Sequence, residues 1–143
     1  MRRILVGLDG SPRAPGVLAA AVAIGRAQGA RVVLLRAVGL PADVPRDLWK
    51  TTEEPLLDLL KRSAKEYLDE QVAKVPVEVF GGVEVVVGVP WQAVCDLARA
   101  LEADLVVIGS HGYAGFDRLL GTTAGKVVNH AHCSVLVVRE PHP

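Results

Sequence analysis

Two cysteines and one methionine are all the sulfur this 143-residue chain carries, and aromatic residues make up 4% of it. Cys95 and Cys133 stand at neither metal-ligand nor redox-motif spacing. That excludes a zinc knuckle and a disulfide framework, and both residues read as reduced, buried small side chains of a cytoplasmic protein. An excess of charge is also lacking. Sixteen Lys and Arg balance sixteen Asp and Glu, so no broad field steers nucleic acid or an anionic membrane. No run reaches the roughly 18 apolar residues of a membrane helix. Met1-Arg2-Arg3 followed by Ile4–Leu8 superficially resembles the front of a signal peptide, but the apolar run stops at Asp9-Gly10 and reads as a first strand.

What is present suits one globular domain over 1–143. Half of the residues are hydrophobic and 22% are charged, enough to bury a core. Four short β-branched runs, Ile4–Leu8, Val32–Leu35, Val83–Val87 and Leu105–Ile108, are followed by a fifth, Val135–Val138. They are continuous rather than alternating in polarity, as in parallel strands covered on both faces. Helices are predicted between them. The first opens at Ser11-Pro12 and stops at Gly29. The second runs from about Thr52 to Lys74 with a stripe of Leu57, Leu60, Ala64, Tyr67 and Leu68. The third follows Pro90 and turns Val94, Leu97, Ala98 and Leu101 to one side. The fourth spans about Thr122 to His130. Val77–Phe80 has two readings, a short extra strand or a lead-in to the third strand across Gly81-Gly82. Leu40–Lys50 reads as a surface loop. The βαβαβαβαβ order with right-handed crossovers predicts an α/β, three-layer, doubly wound five-stranded parallel sheet of order 3-2-1-4-5.

Ligands of such sheets sit beyond the carboxyl ends of the strands, where strand order reverses. Two turns qualify: Asp9-Gly10-Ser11 after strand one, and Gly109 to Gly121 after strand four. The second has glycines at both ends and leads into a helix. Glycine lets backbone amides approach a phosphate, a helix N-terminus offers unpaired amides and a positive dipole end, and Thr122 and Thr123 add hydroxyls. The same segment also fits a plain strand-to-helix connection capped by Thr122. A Walker A loop is excluded because Leu120 stands where its first glycine belongs and Val127 follows Gly125-Lys126. Gly7-Leu8-Asp9-Gly10 lacks the spacing of the dinucleotide fingerprint.

At these residues the chain resembles the universal stress protein family over nearly its whole length. Ile4-Leu5-Val6-Gly7-Leu8-Asp9-Gly10-Ser11 is similar to the family's first strand and acidic turn, and Gly88-Val89-Pro90 to its turn before the third helix. Gly109, Gly112, Gly121 and Thr122 resemble the glycine pattern of the ATP-binding branch, with eight residues rather than nine between the second and third glycines. The tail from His130 to Val138 is also similar, with His132 and Ser134 as departures.

The resemblance implies an adenine-nucleotide (ATP) binding regulatory or stress-response protein. Asp9 would lie beside the adenosine, with Ser11 in the same turn, and the Ala37 backbone would meet the adenine edge. Gly109 would lie against the ribose, and Gly112, Gly121, Thr122 and Thr123 would hold phosphates. His111 either touches a phosphate or braces the loop. Arg118 is read as a solvated loop residue in preference to a phosphate clamp, and His130 and His132 as polar turn residues. Mg²⁺ would ride on the phosphates. The shorter glycine spacing keeps AMP and ADP open beside ATP. No dedicated catalytic residue is found; an ATPase or adenylating enzyme and a nucleotide-free interaction module are the competing readings. The apolar last strand, as an edge, implies a homodimer.

Overall fold

The computed structural model describes residues 1–39, 46–110 and 121–139, and for 46–55 the backbone alone. Five strands form one parallel sheet: β1 (Arg3–Gly7), β2 (Arg31–Val38), β3 (Phe80–Val87), β4 (Leu105–Gly109) and β5 (Ser134–Val138). Their order is β3-β2-β1-β4-β5, as the sequence predicts. Four helices connect them: α1 (Ala14–Gln28), α2 (Arg46–Val72), α3 (Pro90–Ala100) and α4 (Thr122–His130). The β1–β2 pairing starts at Arg3 with Arg31, and β1–β4 at Ile4 with Leu105.

The apolar runs fill both sides of the sheet because successive strand residues point to opposite faces. Ile4, Val6, Leu34 and Val107 pack with Leu18 of α1 and Leu68 of α2. Leu5, Leu35, Val106 and Ile108 pack with Val94 and Ala98 of α3 and Val127 of α4. Ile4, Leu5, Leu34 and Leu35 are wholly buried. Burial of each such side chain contributes about 1.5–3 kcal/mol, and the continuous hydrophobicity of the central strands follows from having no wet face.

Helix ends depart from the expectations in instructive ways. Ser11-Pro12 does not open α1. The Ser11 amide donates to Asp9 Oδ1 at 3.0 Å, and the Arg13 amide donates to Ser11 Oγ at 3.2 Å. These side-chain bonds hold a turn, the alternative to helix that Asp and Ser offer a backbone. The helix begins at Ala14, with Pro15 in its first turn. It stops at Gly29 as predicted, in the left-handed conformation (φ 65°) that glycine adopts without strain.

α2 starts at Arg46, so residues 46–50 of the expected loop are helical, and 40–45 lie outside the described residues. Pro55 obscures this in the sequence, since proline suits a first turn and is costly in a helix interior; the helix nevertheless runs through it. Val77–Val79 is not an extra strand but one 3₁₀ turn that leads into the third strand, and β3 begins at Phe80 and runs through Gly81-Gly82.

Candidate functional site

The carboxyl ends of β1, β2 and β4 open into a cleft of about 410 Å³. That volume lies within the range of small-molecule sites. It falls where the strand order reverses between β1 and β4. Gly7, Leu8 and Asp9 form its floor at β1, Arg36 and Ala37 its wall at β2, and Gly109 its edge at β4. Gly121, Thr122 and Thr123 close the far side. Apolar walls come from Val17, Leu35, Val94 and Ile108, and Pro90 at the start of α3 completes the rim.

Of the residues singled out in the sequence, Asp9, Ala37, Gly109, Gly121, Thr122 and Thr123 meet in this cleft. They come from four separate parts of the chain, brought together by the sheet order. Ser11 belongs to the same turn as Asp9, and its recorded bonds shape that turn. His111, Gly112 and Arg118 lie outside the described residues. His130 and His132 are exposed, at the end of α4 and in the turn after it.

The two ends of the cleft offer different chemistry. At the β1–β2 end, the Asp9 carboxylate is an acceptor and the Ala37 backbone supplies a donor and an acceptor. At the α4 end, Gly121 is extended (φ −62°, ψ 163°) and, among the described residues, no side chain caps the helix. The first amides of a helix have no partner within it, so α4 turns donors and the positive end of its dipole towards the cleft. The Thr122 and Thr123 hydroxyls stand beside them.

Arg36 is the site residue that motif reading missed. It follows the apolar run Val32–Leu35, and a charge continuing a buried strand is a legible signal that the strand's end faces a polar site. Its Nη1 donates to the Ala37 carbonyl at 3.3 Å, and its guanidinium carbon lies 6.0 Å from the centre of the Tyr67 ring. Gly10 (φ 75°) lies alongside: a Cβ built there would come within 3.6 Å of the guanidinium. Glycine is needed at Gly10 for its conformation rather than for space. Burial pushes the Tyr67 phenol up from its ordinary range, and the Asp9 charge adds to this while Arg36 opposes it. Asp9, Arg36 and Tyr67 thus form one electrostatic group at this end.

A parallel doubly wound sheet with a cleft at its switch point defines a class of α/β fold that binds ligands at strand ends. The sequence profile of the universal stress protein family matches residues 1–139, and the chain belongs to that family. It is 39% identical over 107 residues to a universal stress protein of Methanocaldococcus jannaschii, a match spanning 73% of this chain and 58% of that protein. A universal stress protein of Synechocystis is 30% identical over 152 residues, covering 96% of this chain and 97% of its own. Among solved structures, the universal stress protein UspA of Lactobacillus plantarum superimposes with a TM-score of 0.79 at 28% identity, covering 96% of this chain and 97% of that one. Two others share the fold and contain nucleotides. One is a universal stress protein in complex with cAMP (TM-score 0.65, 24% identity, 98% of each chain). The other, from Archaeoglobus fulgidus, is in complex with dAMP (TM-score 0.58, 22% identity, 97% of this chain and 98% of that one).

Proposed function

We propose that this chain binds an adenine nucleotide in the cleft and acts as a nucleotide-responsive regulatory protein. One observation carries this reading: a helix N-terminus with two threonines, without a side-chain cap among the described residues, faces a carboxylate and an open strand end across a cleft of nucleotide size. The nucleotides held by two proteins of the same fold support it. Asp9 accepts from a ribose hydroxyl or the adenine amino group, and the Ala37 backbone meets the base edge. Gly109 lies against the sugar. Gly121, Thr122 and Thr123 hold the phosphate nearest the ribose, and Gly112 and His111 the phosphates beyond it. Among the described residues no group of three His, Cys, Asp or Glu could hold a metal ion. Mg²⁺ accompanying ATP rides on the phosphates, completed by water. Bound nucleotide favours one conformation of the surface that a partner reads, and no residue is assigned a catalytic role.

The test has two parts. Purified protein is denatured and the released small molecules are identified, and ATP, ADP, AMP and cyclic AMP are then titrated by calorimetry. Saturable one-site binding of at least one of them supports the reading. No adenine ligand bound at millimolar concentration contradicts it.

The same proposal extends to assembly. β5 is last in the sheet order and its Leu136 is 36% exposed. A second copy pairing along this edge forms a homodimer about a twofold axis. Sedimentation at micromolar concentration is expected to give the dimer mass, and a monomer would oppose this extension.

A further inference from the structure

The β1–β2 register ends at Gly7 with Leu35, and the Leu8 amide donates to the Leu35 carbonyl at 2.9 Å. Backbone groups of alternate strand residues point the same way. Ala37, two residues beyond Leu35, therefore directs its amide and carbonyl past the end of β1, into the cleft that it lines. Val38 faces the other way, its carbonyl accepting from the Gly88 amide just past β3 at 2.9 Å. Arg36 also lines the cleft. Its guanidinium folds over the strand end: Nη1 donates to the Ala37 carbonyl at 3.3 Å, and the Tyr67 ring of α2 lies 6.0 Å from the guanidinium carbon. Three polar groups thus stand side by side at the end of β2. They are the Ala37 amide as donor, its carbonyl as acceptor, and the Arg36 guanidinium as donor. A carbonyl oxygen has two lone pairs, and a guanidinium carries several N–H groups, so the bond between Ala37 and Arg36 leaves both able to meet a ligand.

We propose that Arg36 reads the N7 edge of the adenine ring and is a specificity-determining residue of the cleft, a role that rests on the adenine-nucleotide reading above. Adenine presents the acceptor N1, the donor 6-amino group and the acceptor N7 in sequence around one side of the ring. The side-chain amide of Asn or Gln reads the last two by accepting from the amino group and donating to N7. The Ala37 carbonyl and the Arg36 guanidinium supply that same acceptor and donor from two neighbouring residues, and the Ala37 amide adds a donor for N1. Guanine carries O6 in place of the amino group and a proton on N1, so both Ala37 backbone groups would meet their own kind. The guanidinium charge strengthens the bond to N7. The Ala37 carbonyl and the Tyr67 ring already hold the fork in place, which reduces the ordering lost when the base enters.

The test is calorimetric titration of AMP and of 7-deaza-AMP, in which a C–H replaces N7, into the full chain and its Arg36→Ala variant. The wild type is expected to bind 7-deaza-AMP about 10-fold more weakly than AMP, the scale of one hydrogen bond to a charged group. Arg36→Ala is expected to bind AMP about 10-fold more weakly than the wild type does, and to bind the two nucleotides alike. A merely structural role of Arg36 would not produce that equality. Equal affinity of the wild type for the two nucleotides overturns the role of Arg36 and leaves the adenine reading standing. A preference for AMP that survives in full in Arg36→Ala does the same. Absence of AMP binding to the wild type overturns both. The wild-type comparison does not depend on how the variant folds.

Discussion

The two ends of the same sheet are built in opposite ways. At the amino ends of the strands the chain is stitched shut. The Asp104 carboxylate accepts from the Arg2 amide at 2.6 Å and the Arg3 amide at 3.0 Å, while Arg3 donates to the Leu101 carbonyl at 2.7 Å. Arg31 reaches the Val77 and Phe80 carbonyls at 3.2 and 3.3 Å. At the carboxyl ends, β1, β2 and β4 surround the cleft, and α4 begins without a side-chain cap among the described residues. Polar side chains at the closed end satisfy backbone groups. At the open end, among the described residues, no side chain satisfies the first amides of α4. Backbone stitching is concentrated at one end, and the proposed recognition site lies at the other.

The largest effect should come from filling the phosphate end. Gly121 has an extended backbone that any residue adopts, so Gly121→Val should fold normally. Its side chain would occupy the mouth of α4, and calorimetry should show AMP affinity falling by about 100-fold, roughly 2.7 kcal/mol. Retention of wild-type affinity would remove the phosphate assignment. Asp9→Ala should weaken AMP by about 10-fold, close to the 1.4 kcal/mol of one charge-assisted hydrogen bond. It should weaken adenosine by a similar factor, because the proposal places Asp9 at the nucleoside. A loss confined to AMP would place Asp9 elsewhere.

The closed end should respond in stability and not in binding. The Arg3 and Arg2 amides hold the Asp104 carboxyl below its ordinary range. A depressed carboxylate stabilises the fold at pH above its unfolded value, and the contribution is lost as pH falls through the folded value. Thermal melting of Asp104→Asn should therefore fall below wild type at neutral pH and converge with it in acid, with AMP affinity unchanged. The smallest effect is expected at Glu102, which is left-handed (φ 53°) just past α3. Glu102→Gly relieves that conformation, against glycine's greater entropy loss, and should raise stability by about 0.5 kcal/mol in denaturant titration.

These ends were unequally legible in the sequence. The continuous β-branched runs marked all five strands; burial on both faces explains the pattern in β1, β2 and β4, whereas β3 and β5 carry it at the sheet edges with no fully buried residue, and the order came from right-handed crossovers. The glycine-to-threonine segment marked the α4 end of the cleft, since glycine and hydroxyl residues before a helix carry a local physical meaning. Arg36 was visible only as a charge in an apolar run, and its partners Tyr67 and Gly10 come from distant segments. Asp104 was silent: its value as an acceptor depends on β1 lying beside β4. The start of α1 was misplaced because Ser11 serves a turn as well as it serves a cap.

The most direct measurement is an amide chemical-shift map of the ¹⁵N-labelled protein on addition of AMP. The account predicts shifts concentrated at residues 7–11, 36–37, 109–110 and 121–125, with 2–4 and 101–105 unmoved. Shifts centred on the closed end, or none at saturating millimolar AMP, would contradict it.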